Sequence, residues 1–158
     1  MTPPDPPPFT GEVAAQRPEG ASKGNEMDKD LYDKGMKIRR EVLGDAYVDN
    51  ALSKSGPFND PLQELVTTYC WGWNWSREGL PRRDRSLINL AMIATLNRHN
   101  ELKVHVRGAL NNGLSKEEIR EVLLQVGIYA GIPAAVDSFR IANEAFAEID
   151  AEGAKELG

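Results

Sequence analysis

The feature that most constrains the fold is a helical spacing of apolar residues that continues from residue 28 to residue 149. Residues 28–44 place Leu31, Gly35, Ile38 and Val42 on one helical face, and later segments repeat this spacing of three and four residues. No segment combines strand-like alternation with turn signals at its ends. The connections are short, so consecutive helices should pack as antiparallel neighbours. The sequence therefore predicts an all-α domain of about six to seven helices.

Several predicted helices have clear beginnings and ends. Gly113 ends the helix of residues 101–113, because glycine accepts the left-handed conformation common after a helix. Ser115 and Glu118 form a capping box that opens the next helix. Pro133 lies near the first position of the last helix, where proline is favoured.

Two segments carry specific expectations about burial. Residues 59–73 form a predicted helix with an apolar stripe that should face the core; its members are Leu62, Leu65, Val66 and Tyr69. Residues 82–97 form a helix that is apolar nearly all round from residue 87 onward. Because an all-round apolar helix is typical of a buried position, we expect this helix to lie inside the protein.

The chain divides into three parts by composition. Residues 1–26 are rich in proline and glycine and are predicted to be a disordered arm, since they cannot bury enough apolar surface to order themselves. Residues 27–150 form the predicted domain, and residues 151–158 form a predicted flexible tail. Met27 is a candidate start site, which an intact-mass measurement tests.

Composition also disfavours several functions. The chain has 158 residues and a net charge of −5, whereas a nucleic-acid partner prefers a basic surface. No apolar run approaches the roughly 20 residues that span a bilayer, so no membrane partner is expected. Cys70 is the single cysteine, which excludes an internal disulfide and suits a cytoplasmic location.

His105 is the first candidate for chemistry. Its neighbours three and four residues away on the predicted helix are Glu101, Leu102, Gly108 and Ala109. The two small residues leave space beside the imidazole, as a pocket acid or base requires. A histidine that simply borders the core gives the same pattern, so the spacing leaves both interpretations open.

The second candidate is the segment of residues 71–86, WGWNWSREGLPRRDRS, with all three tryptophans and four arginines. Arginine binds carboxylates through two parallel hydrogen bonds, and tryptophans lower the dielectric of a pocket that they line. The segment predicts a site for an acidic small molecule, although a helix corner with solvated or acid-paired arginines fits equally well. The candidate residues are Trp73, Trp75, Arg82, Arg83 and Arg85.

No metal site is predicted. His99 and His105 are six residues apart, which does not place both on one helical face. The sequence contains no HExxH pattern and no glycine loop of the kind that cradles phosphates.

The order of several segments resembles the carboxymuconolactone decarboxylase family, and most closely its γ-carboxymuconolactone branch. The matching segments run from about residue 31 to residue 148 and include FNDPLQELVTTYCWG, SREGLPRRDRSL and HNELKVHVRGALNNGLSKEEIREVLLQVGIYAGIPAA. RRDRSL and HVRGALNNG are distinctive, and the N-terminal arm lies outside the resemblance. The resemblance implies an alkylhydroperoxidase-D-like helical fold and ring-shaped homo-oligomers, commonly trimers or hexamers.

The related peroxidase branch of this superfamily carries a CxxCxxxH motif on one helix. An ungapped match places Arg98 and Glu101 at the two cysteine positions and His105 at the histidine position. The resemblance therefore supports a functional His105, makes Arg98 and Glu101 candidates for substrate contact, and implies no peroxidase activity.

One departure from the family concerns the substrate. Members of the decarboxylase branch usually read WGE where this sequence reads WGW, so Trp73 stands at the position of a carboxylate. This exchange would make the pocket more apolar, and it leaves open whether the substrate is carboxymuconolactone or a different acid.

The resemblance implies a reaction that needs no cofactor. Loss of CO2 from the γ carbon of a carboxylated lactone leaves electrons that delocalise through the ring onto the lactone oxygen. His105 is then the expected proton donor, and Arg85, with Arg82 or Arg83, the expected contact for a carboxylate or the oxyanion. Two alternatives stay open at this point: a lyase, isomerase or dehydratase acting on another acid, and a non-catalytic oligomer that binds a small molecule.

Overall fold

The computed structural model describes residues 22–156, with side chains for residues 28–154. This part of the chain is all helical, as predicted: seven α-helices are joined by short connections, and a π-helical segment continues the third. The bounds are α1 Ser22–Leu43, α2 Asp45–Ser53, α3 Asp60–Leu65, the π segment Val66–Asn74, α4 Arg82–Thr95, α5 His99–Asn111, α6 Lys116–Ala130 and α7 Ile132–Glu156.

The predicted helix signals are confirmed around α6. The Ser115 hydroxyl accepts a hydrogen bond from the Glu118 backbone N–H at 3.1 Å, and the Glu118 carboxylate accepts one from the Ser115 N–H at 3.0 Å. These bonds satisfy two donors that the first turn of a helix otherwise leaves unpaired. Gly113 has a φ of 88° after the end of α5, which is the left-handed conformation expected of it.

Two clusters of buried side chains hold the helices together, and α5 lies between them. Val106 belongs to the larger cluster, which α4, α5, α6 and α7 build, whereas Val104 packs against the smaller cluster formed by α1, α2 and the π segment. The smaller cluster contains Ile38, Val42, Leu43, Val48, Trp71 and Trp75. His105 therefore occupies the seam between the two cores.

The predicted face of α1 is confirmed, and its glycine has a specific role. Gly35 packs directly against the π segment, where a Cβ atom would overlap the Thr67 carbonyl and the Gly72 backbone. A Cβ on Gly72 would in turn overlap the Leu31 carbonyl. Glycine is the residue that lets two backbones approach this closely, so this glycine pair fixes how α1 crosses the π segment.

The prediction for the apolar stripe of residues 59–73 is wrong for three of its four members. Leu62, Leu65 and Tyr69 are exposed in the protomer, whereas Val66 packs against the smaller cluster. Leu62 and Leu65 lie on α3, before the π segment, whose buried residues are Thr67, Thr68, Trp71 and Gly72. Within the π segment, the i→i+5 hydrogen bond from the Trp75 N–H to the Cys70 carbonyl at 3.0 Å marks wider turns, which rotate the buried face away from positions that a 3.6-residue period selects.

The expectation that the helix of residues 82–97 is buried on all sides is also wrong for the protomer. Leu90 and Ala94 are buried, but Ile88 and Met92 are exposed. Helices α6 and α7 also carry exposed apolar side chains, and we call the whole set the α4/α6 face; its members are Ile88, Met92, Leu124, Ile128, Tyr129, Ile132 and Val136.

The predicted chain divisions fall partly outside the described residues. Residues 1–21 of the predicted arm and residues 157 and 158 of the predicted tail are not described. Helix α1 begins at Ser22, within the segment predicted as arm, and α7 continues to Glu156, within the segment predicted as tail. Among the described residues, no helix has the length and apolar character needed to cross a membrane.

Candidate active site

His105 lies on α5 against an aromatic wall. The imidazole is partly buried, and its ring is within 7° of parallel to the Trp71 indole, with the ring centroids 6.4 Å apart. Gly108, one turn further along α5, is buried against Val42 and Leu43 of α1, so it serves helix packing rather than leaving open space. Gly108 therefore does not supply the predicted space, and any space beside the imidazole lies on another side of the ring.

Burial lowers the pKa of His105 below its usual value, and the Glu101 carboxylate one turn earlier partly opposes this effect by raising it. Removal of water disfavours the charged imidazolium, while a nearby negative charge favours it. The imidazole of the free protein is accordingly held in its neutral form at neutral pH. The carboxylate of a bound substrate would raise the pKa of His105, as Glu101 does.

The tryptophans divide into a buried pair and an exposed third member. Trp71 and Trp75 are each 5% exposed, and their ring centroids are 4.8 Å apart at an angle of 35°. Trp73 is 52% exposed, and the Arg77 guanidinium lies over its ring at 4.9 Å from the centroid. Sequence reasoning proposed Trp73 and Trp75 but missed Trp71, which is the one in contact with His105.

The arginines of the block also differ from one another. Arg82 binds the Glu41 carboxylate of α1 at 2.6 Å, and Arg83 forms an ion pair with Glu118 of the capping box. Both guanidinium groups therefore already have a negative partner inside the protein. Their contacts match the helix-corner interpretation, in which arginines pair with acids of the chain.

Arg85 is held only by neutral acceptors. Its Nη1 donates to the Asn74 side-chain oxygen at 3.3 Å and its Nη2 donates to the Arg77 carbonyl at 3.0 Å. Its Nε is buried and has no hydrogen-bond partner, and no described carboxylate lies within ion-pair distance of the group. A guanidinium so positioned keeps its full charge available for an anion. Asn74, which sequence reasoning missed, attaches this arginine to the segment that carries the tryptophan pair.

Arg98 and Glu101 lie at the beginning of α5, on the same helix as His105. Arg98 is the residue before the first turn and is exposed; Glu101 lies in the first turn and is also exposed. Glu101 is near enough to affect the pKa of His105, whereas no contact described here joins Arg98 to the imidazole. Their roles as substrate contacts stay predictions.

Three large clefts of the protomer lie away from His105. A cleft of about 540 Å³ lies between α1 and α3, one of about 560 Å³ lies beside α2, α5 and α7, and one of about 410 Å³ lies between α4 and α6. Neither His105 nor the tryptophan pair lines any of these three. Among the described residues, no cluster of three or more histidine, cysteine or acidic side chains has the arrangement to hold a metal ion.

Comparison with known proteins shows the family. The chain matches the sequence model of the carboxymuconolactone decarboxylase family over residues 60–144. It is 38% identical over 122 residues to the 4-carboxymuconolactone decarboxylase of Acinetobacter baylyi, covering 77% of this chain and 91% of the relative. It is 42% identical over 120 residues to the nitrosuccinic acid decarboxylase of Metarhizium robertsii, covering 76% of this chain and 84% of the relative.

The chain belongs to the carboxymuconolactone decarboxylase family, and its helices form the alkylhydroperoxidase-D-like fold. It is a decarboxylase, that is, a carboxy-lyase that releases CO2 from its substrate. This outcome confirms the resemblance and the reaction class expected from the sequence.

Proposed function

We propose that this enzyme decarboxylates a small acid with two carboxylates, one of which leaves from a carbon joined directly, or through a double bond, to an electron-accepting group. The observation that carries the proposal is the state of Arg85, whose guanidinium has neutral partners only and a buried Nε without a partner. A cation without a carboxylate, bonded to Asn74 of the π segment that also carries Trp71, suits an anionic substrate.

The reaction needs three actions from the protein. Arg85 holds a carboxylate, or the oxyanion that forms when CO2 leaves. The electron pair of the broken carbon–carbon bond moves onto the electron-accepting group, which is a lactone carbonyl or a nitro group in the two candidate acids. His105 then returns a proton to carbon: in the nitro acid to the carbon that lost CO2, and in the lactone to the ring carbon beside the carbonyl, because the double bond shifts. Trp71 keeps water from one side of the imidazole.

The protonation state of His105 couples substrate binding to this last step. In the free protein burial lowers the pKa of His105, so the imidazole is mostly neutral at neutral pH. A bound substrate carboxylate favours imidazolium and so raises that pKa. The donor is thus charged mainly when there is an intermediate to protonate.

Two acids are the first candidates for the substrate. The relatives are named for 4-carboxymuconolactone and nitrosuccinic acid, and both acids carry two carboxylates and an electron-accepting group. For the lactone, the enzyme would act in the β-ketoadipate route of aromatic catabolism, in the cytoplasm. Trp73, where the branch usually has glutamate, favours testing the nitro acid beside the lactone.

The test measures CO2 release from each acid with no metal or cofactor added. His105→Gln should lower turnover at least about a hundredfold, a typical loss for a general acid. His99→Gln is the matched control, because His99 is exposed on the same helix and lies 3.9 Å from Asp137. Equal turnover in the wild type and the His105 variant would remove His105 from the mechanism. No turnover of either acid would turn the search to the lyase, isomerase or binding alternatives.

We further propose that the protein is a homo-oligomer, a trimer or a hexamer, formed through the α4/α6 face. Its residues are large, apolar and exposed in the protomer; Ile128 is 77% exposed and Tyr129 is 84% exposed. Ile88 and Tyr129 line one cleft, and exposed apolar surface of this kind is typical of protein–protein contacts. A second copy on this face would also cover the apolar cleft between α4 and α6.

A further inference from the structure

Arg39, on α1, is a buried cation. It is 5% exposed, and its Nη1 donates to the Thr67 hydroxyl at 3.1 Å while its Nη2 donates to the Gln63 side-chain oxygen at 3.0 Å. Its Nε is buried and has no hydrogen-bond partner. Both partners are neutral, so the guanidinium has no compensating negative charge from them.

A buried guanidinium normally has a carboxylate beside it. Isolated charges lose their hydration on burial, and structures compensate for that loss with an opposite charge. Among residues 28–154, no carboxylate lies within ion-pair distance of Arg39, and burial lowers its pKa. Arg40, the next residue, shows the usual arrangement: it is more exposed and binds both Asp45 and Asp49.

A cleft lies next to this unpaired charge. The cleft between α1 and α3 has a volume of about 540 Å³, and its wall includes Tyr32, Gln63 and Thr68. Gln63 is the side chain that accepts a hydrogen bond from Arg39, and Thr68 follows Thr67, the other acceptor. A rotation of the Gln63 side chain would therefore bring the cleft and the guanidinium together.

We propose that this cleft is a binding site for a small carboxylate, which takes the place of the Gln63 oxygen and supplies the charge that Arg39 lacks. The site is separate from the proposed catalytic one, because neither His105 nor Arg85 lines the cleft. Asp28, Asp60 and Glu64 also line the cleft, with one lysine, Lys29. This acidic wall repels anions and repels multiply charged ones such as phosphate most, so the attraction for a single carboxylate comes from the Arg39 guanidinium.

The direct test is the melting temperature of the full chain in acetate, with chloride used to hold ionic strength constant. A ligand of the folded state raises the melting temperature logarithmically, by about 3–5 °C for each tenfold excess over its dissociation constant. We expect this rise in acetate and not in phosphate for the wild type. The matched control Arg40→Met should keep it, and Arg39→Met should lose it. An equal rise in Arg39→Met, or no rise in the wild type, would overturn the proposal.

A second variant keeps the test decisive if Arg39→Met does not fold. Gln63→Glu places a covalent carboxylate against Arg39 with almost no change in shape. It should raise the melting temperature without acetate and abolish the response to acetate. A full acetate response in Gln63→Glu would contradict the proposed site. His105→Gln should keep the acetate response while losing turnover. The proposals for the carboxylate site and for the catalytic site are therefore tested independently.

Discussion

The indole of Trp71 and the imidazole of His105 form a nearly parallel pair across the seam between the two cores, 7° from parallel and 6.4 Å between centroids. Trp71 comes from the π segment and His105 from α5, so the pair depends on how these two elements pack. The indole shields one side of the imidazole from water. This contact explains why burial dominates the pKa of the histidine.

The first prediction concerns the pH dependence of catalysis. We expect kcat/KM to rise as pH falls through the pKa of His105, which lies below its usual value of about 6.5, because only the imidazolium can donate a proton. Trp71→Gln admits water and should move the inflection to higher pH, whereas Trp71→Phe should leave it nearly unchanged. Initial rates at subsaturating substrate measure this, and identical inflections in both variants would contradict the role of Trp71.

The second prediction concerns the pH dependence of stability. The pKa of His105 is lower in the folded protein than in the unfolded chain, so the unfolded chain binds more protons between the two values. The free energy of unfolding should therefore decrease as pH falls from about 7 through 6.5 toward the folded pKa.

His105→Gln removes this titrating group, so its loss of stability over the same pH interval should be smaller. Urea denaturation at a series of pH values measures the difference. His99→Gln, which removes an exposed histidine of the same helix, is the comparison variant. A slope that His105→Gln does not change would show that burial leaves the histidine unperturbed.

The third prediction separates the arginines. Arg85→Gln should lower kcat/KM by about 10- to 100-fold, the equivalent of a lost hydrogen-bonded charge contact. Arg82→Gln breaks an ion pair with Glu41 that the protein already contains, so its effect on kcat/KM should be smaller than that of Arg85→Gln. Steady-state kinetics of the two variants decide the point. A larger loss in Arg82→Gln would identify Arg82 as the substrate contact instead.

The fourth prediction concerns the crossing of α1 with the π segment. Gly72→Ala should lower the free energy of unfolding by about 3 kcal/mol or more, because the new methyl group overlaps backbone atoms of Leu31 that cannot move independently. Gly79→Ala is the control, since nothing lies within 4 Å of a Cβ at that position. Chemical denaturation compares the two, and equal stabilities would show that the crossing tolerates a wider separation.

The fifth prediction concerns assembly. Ile128→Lys introduces a charge into the α4/α6 face and should reduce the molar mass measured by light scattering. Phe58→Lys changes a side chain that is 95% exposed in the connection before α3, and it should leave the mass unchanged. An oligomer that persists in Ile128→Lys would exclude this face as the contact.

The sequence was sufficient for the helical architecture because helix signals are local. The Ser115–Glu118 capping box and the glycine after α5 depend on residues a few positions apart, and both are present as predicted. The inward face of residues 59–73 was not predictable in the same way. A π segment has a different period, so its buried face does not follow the 3.6-residue pattern by which the sequence was read.

The same limit applies to the site. His105 and Arg85 could be proposed from the sequence because an imidazole suits proton transfer and a guanidinium suits carboxylate binding; their roles stay predictions. Trp71 was missed because its selection depends on the register of the π segment, although its spacing of four from Trp75 was visible. The sequence also did not show that Arg82 and Arg83 are ion-paired whereas Arg85 is not. Their partners, Glu41 and Glu118, lie 41 and 35 residues away along the chain.

The contact between Gly35 and Gly72 ties the aromatic wall of the site to the first helix of the chain. With no side chain between the two backbones, α1 cannot tilt or slide without carrying Trp71 and Trp75 along. Directed evolution toward new acid substrates should therefore tolerate few substitutions at this helix crossing. Variation that reshapes the pocket without loosening it should instead accumulate at outward positions of the same segment, of which Trp73 is the largest.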